Sequence, residues 1–321
     1  MAANGRSDCM TLSCLKSILV LIALCASGGA QAETGFNLAQ SELEAAYASA
    51  NDKFVHVDGV NFRVRIQGSE DAQTIVLIHG YTSSLETWDA AAAELSEKYN
   101  VIRYDLSGHG LTGPDQKKRY TAGERAHLLS GLLQELNVSQ PIIVGNSLGG
   151  MVAWKYAARY PDDLKKLILI SPSAFPFAGL TETPQPIAPA MEAYLRFGQA
   201  EDVNSVYSLQ FFDKSKVSTD RIEQYHKLMR RDGNAQAFVE HMEAFALPDP
   251  REELEKIQAQ TLVLWGREDR LISVDQAEQI AKHIPNSQVQ LLDSLGHIPQ
   301  EEAPRKIIAA MMKFLNPDNI K

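Results

Sequence analysis

The stretch PIIVGNSLGGMVAWKYAARYP, residues 141–161, decides the fold of this chain. Its first part (142–144) is a short, uninterrupted apolar run with β-branched side chains, which is typical of a parallel strand buried on both faces. From Leu148 onward, apolar residues recur at helical spacing until Pro161 ends the pattern. Ser147 therefore lies where a strand becomes a helix.

Ser147 has one glycine two residues before it and another two residues after it, in the pattern Gly-x-Ser-x-Gly. Gly145 and Gly149 let the chain make a strained turn and let the strand and the helix approach closely. The serine hydroxyl is then presented near the free N–H groups at the start of the helix, where developing negative charge is stabilised. The same pattern also occurs by chance in ordinary bends. Whether Ser147 is a nucleophile therefore depends on a base, an acid and an oxyanion hole elsewhere in the chain.

The first 32 residues are predicted to be a signal peptide. Arg6 and Lys16 precede an apolar run (18–26), and the sequence AQA ending at Ala32 fits a cleavage site between small residues. The run is too short to span a bilayer comfortably. We expect cleavage near Ala32 and export to the periplasm or the exterior. An uncleaved anchor, or a lipoprotein acylated at Cys25, is the alternative that would associate the protein with a membrane.

Charge and cysteine content narrow the function classes further. All three cysteines lie in the predicted signal peptide, so the rest of the chain has none for a disulfide, a catalytic thiol or a cysteine-based metal site. The whole chain has 31 basic residues (Lys and Arg) and 40 acidic residues (Asp and Glu). The predicted signal peptide contains two of the basic residues and one of the acidic ones. The rest of the chain therefore has 29 basic and 39 acidic residues, a net charge of −10. This acidic balance argues against a nucleic-acid partner. We expect no metal and no cofactor.

Apolar strands alternate with helical stretches along the rest of the chain. A short helix (40–51) and an antiparallel pair (54–57 and 62–66) come first. The predicted parallel strands and the helices between them then follow: strands 74–78, 101–105, 142–144, 167–170, 261–265 and 289–292, and helices 88–98 and 121–136. This order predicts an α/β fold with a mostly parallel central sheet flanked by helices.

The alternation is interrupted between residues 175 and 250. Proline-rich pieces surround four predicted helices there: 190–197, 202–209, 219–231 and 235–245. We interpret this segment as a helical insertion. The expected organisation is a core of residues 33–174 and 251–321, with a cap or lid at 175–250.

A serine, an aspartate and a histidine, the residues of one kind of catalytic triad, each follow a predicted strand. Active sites of open parallel sheets lie beyond the carboxyl ends of the strands. Asp269 follows the strand 261–265 and His297 follows the strand 289–292, so the chain order is Ser147, Asp269, His297. A serine hydroxyl is a weak nucleophile until an imidazole takes its proton, and a carboxylate orients that imidazole. These three residues are the predicted catalytic triad.

Other residues compete for two of these roles. Glu268 and Asp105 are the alternatives to Asp269 as the acid, and His79 and His109 are the alternatives to His297 as the base. His79 directly precedes a glycine and is expected to anchor its loop by hydrogen bonding.

An oxyanion hole needs two preorganised backbone donors. One is predicted to be the N–H of Leu148, directly after the nucleophile. The other is expected from the loop HGYTSS after Ile78, as the N–H of Tyr81.

The segments LIHGYTSS, YDLSGHGLTGP, GNSLGG, LWGREDR and GHIPQEEAP follow one another in the order of the landmarks of the α/β-hydrolase fold enzymes. The chain resembles that family over essentially its whole length after residue 32. The resemblance implies that the insertion is the family's helical cap between the sixth and seventh strands. Ser147 separates the chain from the dehalogenase and epoxide-hydrolase branches, which carry Asp there, and makes it similar to secreted esterases and lipases.

The resemblance implies a carboxylic ester hydrolase that acts on a small apolar ester through an acyl-enzyme. Apolar side chains of the cap segment are available for an acyl pocket: Phe175, Phe177, Leu180, Met191, Tyr194, Tyr207, Phe211 and Phe212. Carbon–carbon bond hydrolases of the meta-cleavage type share the serine turn and a similar WGREDR segment. Their oxyanion loop usually carries Gly-Pro-Gly, where this chain has GYTS, and an aromatic residue often follows their histidine, where this chain has Ile298. That activity, perhydrolysis as a side activity, and a non-catalytic ligand-binding role are the alternatives.

Overall fold

The computed structural model describes residues 37–316. The predicted signal peptide, with Cys25 and Ala32, lies outside these residues. Eight strands form one sheet: β1 (Asp52–Val57), β2 (Val60–Gln67), β3 (Thr74–Ile78), β4 (Asn100–Tyr104), β5 (Ile142–Asn146), β6 (Lys166–Ile170), β7 (Gln260–Gly266) and β8 (Ser287–Leu292). Their order in the sheet is β1-β2-β4-β3-β5-β6-β7-β8. β2 pairs antiparallel with β1 and with β4, and all other neighbours are parallel.

Helices connect the strands. They are α1 (Gln40–Tyr47), α2 (Asp89–Leu95), α3 (Ala122–Glu135), α4 (Leu148–Arg159), α5 (Pro189–Phe197), α6 (Ala200–Ser208), α7 (Thr219–Met229), α8 (Asn234–Ala244), α9 (Arg251–Leu254), α10 (Asp275–His283), α11 (Pro299–Glu302) and α12 (Pro304–Leu315). Two 3-10 turns are Leu85–Trp88 and Lys214–Lys216. The predicted α/β class with a mostly parallel sheet is confirmed. None of the helices within residues 37–316 has the length and apolarity needed to cross a membrane.

Both faces of the sheet are buried at its central strands. In β5, Ile143 belongs to the apolar cluster that includes residues of α3, α4 and α10, whereas Ile142 and Val144 belong to the cluster that includes residues of α2 and α12. Successive side chains of a strand point to opposite faces. The unbroken apolar run of β5 therefore arises because each face needs its own apolar residues.

The segment between β6 and β7 carries α5 to α9, and apolar residues of α5 to α8 form a separate cluster together with Ile298. That cluster includes Leu195, Tyr207, Phe211, Tyr225 and Phe238. The four predicted helices of the insertion are present, with ends that differ from the predicted ones by a few residues. The division into a core and a cap at 175–250 stays a prediction.

A buried ion-pair network holds the antiparallel end of the sheet to the loops that follow β3 and β4. The Arg63 side chain is fully buried and lies 2.8 Å from Asp52, 2.7 Å from Glu86 and 3.3 Å from Asp105. Burial alone would raise the pKa of Asp52, but hydrogen bonds from Arg65 and Arg63 lower it to about 2. Arg65 also pairs with Asp52 at 2.5 Å and lies 3.6 Å from Glu86, so two arginines and three carboxylates compensate one another in this network.

Asp105 is held in this network by its backbone contacts as well. Its carboxylate accepts hydrogen bonds of 2.8 Å from the N–H groups of Leu85 and Leu111. The carboxylate is therefore engaged in shaping two loops, which explains an acidic residue at the end of β4 without a role as the acid of a triad.

Arg63→Met is expected to lower the free energy of unfolding by about 3–5 kcal/mol, because it leaves the buried Asp105 carboxylate without the cation that pairs with it. Urea unfolding at pH 7 measures the change. The matched control is Arg267→Met, since the pair of Arg267 with Asp293 is exposed (53% and 80% side-chain exposure) and is worth less than about 1 kcal/mol. Equal small changes in both variants would contradict the network's importance.

Candidate active site

Ser147 lies on a strained turn between β5 and α4. Its backbone angles are φ 55° and ψ −117°, in a region that costs a non-glycine residue about 1–3 kcal/mol. The Ser147 N–H donates to the carbonyl of Ile170 at 3.0 Å. Its own carbonyl accepts from the N–H groups of Met151 at 3.0 Å and Ser173 at 3.2 Å. Backbone contacts on both sides therefore hold the serine in this conformation.

The two glycines that flank Ser147 are needed because neighbouring backbone occupies the space that a side chain at either position would fill. A Cβ on Gly145 would lie 2.2 Å from the carbonyl oxygen of Gly149. A Cβ on Gly149 would lie 2.4 Å from the carbonyl oxygens of both Ile78 and His79. The strand β5, the helix α4 and the loop after β3 thus pack backbone against backbone.

The loop after β3 also lies directly against the serine. A Cβ on Gly80 would be 3.3 Å from the Cβ of Ser147. Neither the N–H of Tyr81 nor that of Leu148 donates any of the turn, loop and cap hydrogen bonds found within residues 37–316. The two predicted oxyanion donors belong to segments that meet at Ser147.

His79 holds this loop in place, as the sequence predicted. Its Nε2 accepts a 2.9 Å hydrogen bond from the N–H of Leu106, so the proton of the neutral ring is on Nδ1, which donates to the carbonyl of Gly80 at 2.7 Å. Burial lowers the pKa of His79 to about 4. A neutral ring with both nitrogens engaged positions the loop and has no free nitrogen to act as a base.

Asp269 and His297 are in direct contact. His297 Nδ1 lies 2.8 Å from Asp269 Oδ2, which also accepts from the indole N–H of Trp265 at 3.0 Å. Asp269 Oδ1 accepts from the N–H groups of Leu271 at 2.9 Å and Ile272 at 3.1 Å. A carboxylate only accepts, so the neutral imidazole carries its proton on Nδ1 and leaves Nε2 as the acceptor.

Asn146 connects the serine turn to the histidine loop, and sequence reasoning missed it. Its side-chain amide donates to the carbonyls of Ile170 at 3.0 Å and His297 at 3.1 Å. Its Oδ1 accepts from Gln300 at 3.1 Å. The only sequence signal for this role is the position of Asn146 directly before Ser147.

Glu302 fastens the histidine loop to the helical insertion and was also missed. Its buried carboxylate accepts from the N–H groups of Gly296 at 2.7 Å, Asp213 at 2.7 Å and Phe212 at 3.2 Å. Hydrogen bonds to a charged acceptor are roughly twice as strong as neutral ones. The insertion thus shares one carboxylate with the loop that carries His297.

A further contact joins the same two segments. The N–H of His297 donates to the carbonyl of Gln210 at 2.7 Å. A Cβ on Gly296 would lie 2.3 Å from that same carbonyl oxygen. The position of the histidine backbone therefore depends on the insertion.

Ser147 and His297 line one cavity of about 860 Å³, together with Tyr81 and Leu148. We call the side chains of Phe177, Leu180, Phe245 and Leu271 the apolar wall, and those of Ser83, Tyr207, Tyr225 and Glu301 the polar wall. Five of the side chains predicted for an acyl pocket line the cavity: Phe177, Leu180, Met191, Tyr194 and Tyr207. Phe175, Phe211 and Phe212 are not among the lining residues.

Two more buried histidines pack around Tyr81. The ring of His109 lies 5.9 Å from that of Tyr81, and the ring of His241 lies 4.8 Å from it. Burial, reinforced by the positive charge of Arg125, holds the pKa of both histidines well below the usual value. His109 Nε2 is buried without a hydrogen-bond partner within the described part of the chain. His109 therefore stays neutral and packs as an aromatic ring.

The buried neutral histidines predict a loss of stability in acid. In the unfolded chain His79 binds a proton below pH 6.5, whereas in the folded protein, with a pKa of about 4, it does not. The free energy of unfolding therefore decreases as the pH falls from 6.5 toward 4. His109→Phe removes one such group, and we expect the slope of unfolding free energy against pH in this range to become shallower by up to about 1.4 kcal/mol per pH unit. Urea unfolding from pH 7 to pH 4.5 measures it.

The control for this variant is His56→Phe, since His56 is exposed on β1. The comparison separates the loss of a buried ring from the loss of an exposed one. An unchanged slope in His109→Phe would show that His109 does not differ in protonation between the folded and unfolded states.

Glu302→Gln is expected to loosen the insertion at residues 210–213 and the loop at 296–297. The amide keeps the shape of the side chain but loses the charge that strengthens three backbone hydrogen bonds. Hydrogen exchange of the Phe212, Asp213 and Gly296 amides should accelerate by about tenfold or more. Glu278→Gln, at an exposed position of α10, is the matched control. Unchanged exchange rates of these three amides in Glu302→Gln would contradict the role of Glu302 in holding the histidine loop to the insertion.

Within residues 37–316, no group of three or more His, Cys, Asp or Glu side chains is arranged to hold a metal ion.

Comparison with known proteins agrees with the fold. Human monoacylglycerol lipase ABHD6 is 26% identical over 285 residues, which cover 84% of this chain and 84% of that protein. A 2-hydroxy-6-oxononadienedioate/2-hydroxy-6-oxononatrienedioate hydrolase of Burkholderia vietnamiensis is 26% identical over 280 residues, 83% of this chain and 96% of that protein. The crystal structure of a putative lipase from Acinetobacter baumannii superposes with a TM-score of 0.72 at 26% identity, covering 90% of this chain and 98% of that one.

The model of one protein family, described as alpha/beta hydrolase fold, matches residues 73–304. The match spans the sheet from β3 to β8, the serine turn, the helical insertion and the histidine loop. The chain belongs to the alpha/beta hydrolase fold family.

Proposed function

We propose that the protein is a serine hydrolase that cleaves carboxylic esters, with Ser147 as nucleophile, His297 as base and Asp269 as the carboxylate that orients it. The observation that carries the proposal is the strained Ser147 backbone at a cavity shared with His297, whose Nδ1 lies 2.8 Å from Asp269. Backbone strain of this kind clusters at functional sites, which supports a functional role for Ser147.

In the first half of the reaction, Ser147 Oγ attacks the acyl carbon while His297 Nε2 takes the hydroxyl proton. The carbonyl oxygen becomes an oxyanion, which the N–H groups of Tyr81 and Leu148 stabilise. His297 then returns the proton to the departing alcohol oxygen, and the acyl group remains bonded to Ser147. Asp269 stabilises the imidazolium that forms between these two steps.

In the second half, water replaces the alcohol. His297 takes a proton from the water as its oxygen attacks the acyl carbon, and the same two N–H groups stabilise the second oxyanion. His297 gives the proton back to Ser147 Oγ, which leaves the carboxylic acid free. The chemistry uses only side chains and backbone groups of this chain and water.

The cavity supports an apolar acyl group. Its volume of about 860 Å³ is in the range of small-molecule sites, and the apolar wall offers aromatic and aliphatic contacts. The relative from Homo sapiens is a monoacylglycerol lipase, which fits hydrolysis of an apolar ester.

The test is hydrolysis of p-nitrophenyl esters from acetate to palmitate by residues 33–321. We expect a maximum of kcat/KM at one acyl length, and a loss of at least about 10⁴-fold in kcat for Ser147→Ala, since the triad acts as a unit. A fluorophosphonate should form one covalent adduct, on Ser147, detectable by mass spectrometry of the peptide.

The matched control is Ser130→Ala, on α3 and outside the cavity lining, which should retain activity. Turnover of a 2-hydroxy-6-oxo-dienoate without turnover of any ester would contradict the proposal in favour of carbon–carbon bond hydrolysis, the activity in the name of the Burkholderia vietnamiensis relative. Ester turnover that persists in Ser147→Ala would contradict the assignment of the nucleophile.

A further inference from the structure

Trp265 makes a polar contact that the proposed mechanism does not use. It lies in the segment LWGREDR, near the end of β7, and is fully buried in the core cluster that includes residues of α3, α4 and α10. Its indole N–H donates to Asp269 Oδ2 at 3.0 Å, and the Nδ1–H of His297 donates to the same oxygen at 2.8 Å. Two side chains therefore share one carboxylate oxygen of the proposed triad.

The four donors to the Asp269 carboxylate are divided between its two oxygens. Oδ1 accepts from the backbone N–H groups of Leu271 and Ile272, which belong to the loop directly after it. Within the described residues, Oδ2 accepts from side chains alone, and the Asp269 side chain is fully buried. The backbone thus holds Oδ1, and the indole of Trp265 is the group that holds Oδ2 independently of the histidine.

The other two tryptophans show that burial of the ring does not by itself require such a contact. Trp88 is equally buried, and its indole nitrogen has no hydrogen-bond partner within the part of the chain that the structure describes. Trp154 donates to a backbone carbonyl, that of Ser173, at 2.9 Å. Of the three tryptophans of the chain, Trp265 is the one whose indole N–H donates to a carboxylate.

The indole contact favours one protonation state of the pair formed by Asp269 and His297. A hydrogen bond to a carboxylate stabilises its charged form. It does so most when the histidine is neutral, because a protonated imidazole already compensates much of the charge on Oδ2. The indole N–H therefore stabilises most the state in which His297 Nε2 can accept the proton of the Ser147 hydroxyl.

Other titratable groups surround the pair without contacting it. Asp202, His241, Glu301 and four tyrosines line the cavity together with His297. The charged side chains of the adjoining segments are Asp213, Arg267, Glu268, Arg270, Asp293 and Glu302. Between residues 37 and 316, none of these groups forms an ion pair with His297 or a hydrogen bond with the Asp269 carboxylate. The indole N–H is therefore the side-chain contact that distinguishes the environment of this pair.

We propose that Trp265 is a positioning residue of the proposed triad: its indole N–H fixes Asp269 Oδ2 toward His297 and keeps the histidine in its basic form to a lower pH than the other contacts alone would. This inference rests on the proposed ester hydrolysis and adds a fourth side chain to its machinery. Trp265 is not among the residues that line the cavity, so it acts through Asp269 and not on the substrate.

Trp265→Phe removes the indole N–H and keeps a buried aromatic ring. We measure kcat/KM for one p-nitrophenyl ester from about pH 5 to about pH 9, and define the acid midpoint as the pH at which it has fallen to half of its plateau on the acid side. The acid midpoint should rise by about 0.5–1 pH unit, because Oδ2 loses a donor and holds the imidazolium more strongly. On the plateau, kcat should fall by about threefold to tenfold, the effect of one hydrogen bond, with KM unchanged.

The matched control is Trp88→Phe, which removes an equally buried indole that donates no hydrogen bond within the described residues. It loses the same ring volume and should leave the acid midpoint of the unmodified protein unchanged. Equal acid midpoints in Trp265→Phe and Trp88→Phe would overturn the proposal, since packing alone would then account for both variants.

A measurement on the unmodified protein does not depend on how Trp265→Phe folds. The indole N–H groups of the three tryptophans give three signals in a proton–nitrogen correlation spectrum, and Trp88→Phe and Trp154→Phe assign two of them. The signal of Trp265 should shift with pH around the acid midpoint, because the charge on its acceptor is compensated there by the protonated imidazole, whereas the signal of Trp88 should not. A Trp265 signal that stays constant over this pH range would overturn the proposal.

The two readouts separate this proposal from the proposed function. Absence of ester turnover in the unmodified protein, with a Trp265 signal that shifts with pH, would overturn the ester hydrolysis and support the coupling of Trp265 to the pair. Ester turnover with a constant Trp265 signal and an unchanged acid midpoint in Trp265→Phe would overturn only the role of Trp265.

Discussion

The direct backbone contact at Ser147 is the constraint on which the rest of the site depends. The carbonyl groups of Ile78 and His79 occupy the space that a side chain on Gly149 would need, and α4 occupies the space that a side chain on Gly145 would need. Because nothing intervenes, the loop with Tyr81 and the serine turn have a fixed relation. The proposed donors and the proposed nucleophile are therefore held by packing, which is the condition under which an oxyanion hole contributes most.

The helical insertion is part of the site and does more than cover it. Gln210 accepts the N–H of His297, and Glu302 binds the backbone of both the insertion and the histidine loop. Tyr81 extends this connection, since its hydroxyl donates to the carbonyl of Phe238 on α8 at 2.8 Å. A displacement of the insertion would thus move the histidine and the loop that carries Tyr81 together, which couples the shape of the cavity to the geometry of the proposed triad.

Three charged groups in the interior are each surrounded by compensating partners. Arg63 is compensated by three carboxylates, Asp269 accepts four hydrogen bonds, and Glu301 is surrounded by hydroxyl groups and Arg221. Burial is costly for a polar group that lacks a partner, so each set holds the segments that contribute to it in one arrangement. The same loops that carry the proposed catalytic groups are those that these sets connect.

The amino-acid sequence by itself determined the α/β class, the order of the parallel strands along the chain and the position of the serine turn. These follow from short-range patterns: an apolar run such as 142–144 must be buried on both faces, and Gly145 and Gly149 permit a turn that other residues would obstruct. It also indicated Asp269 and His297, because both follow strands whose carboxyl ends share one edge. Only the tertiary structure decided that Asp269 contacts His297 while Asp105 pairs with Arg63, that Asn146 and Glu302 hold the histidine loop, and that Glu301 faces the cavity beside Tyr225. These contacts join residues that are far apart in the chain. The sequence alone does not distinguish a carboxylate that orients an imidazole from one that neutralises an arginine or lines a cavity. The packing of the surrounding segments determines which of these roles each carboxylate has.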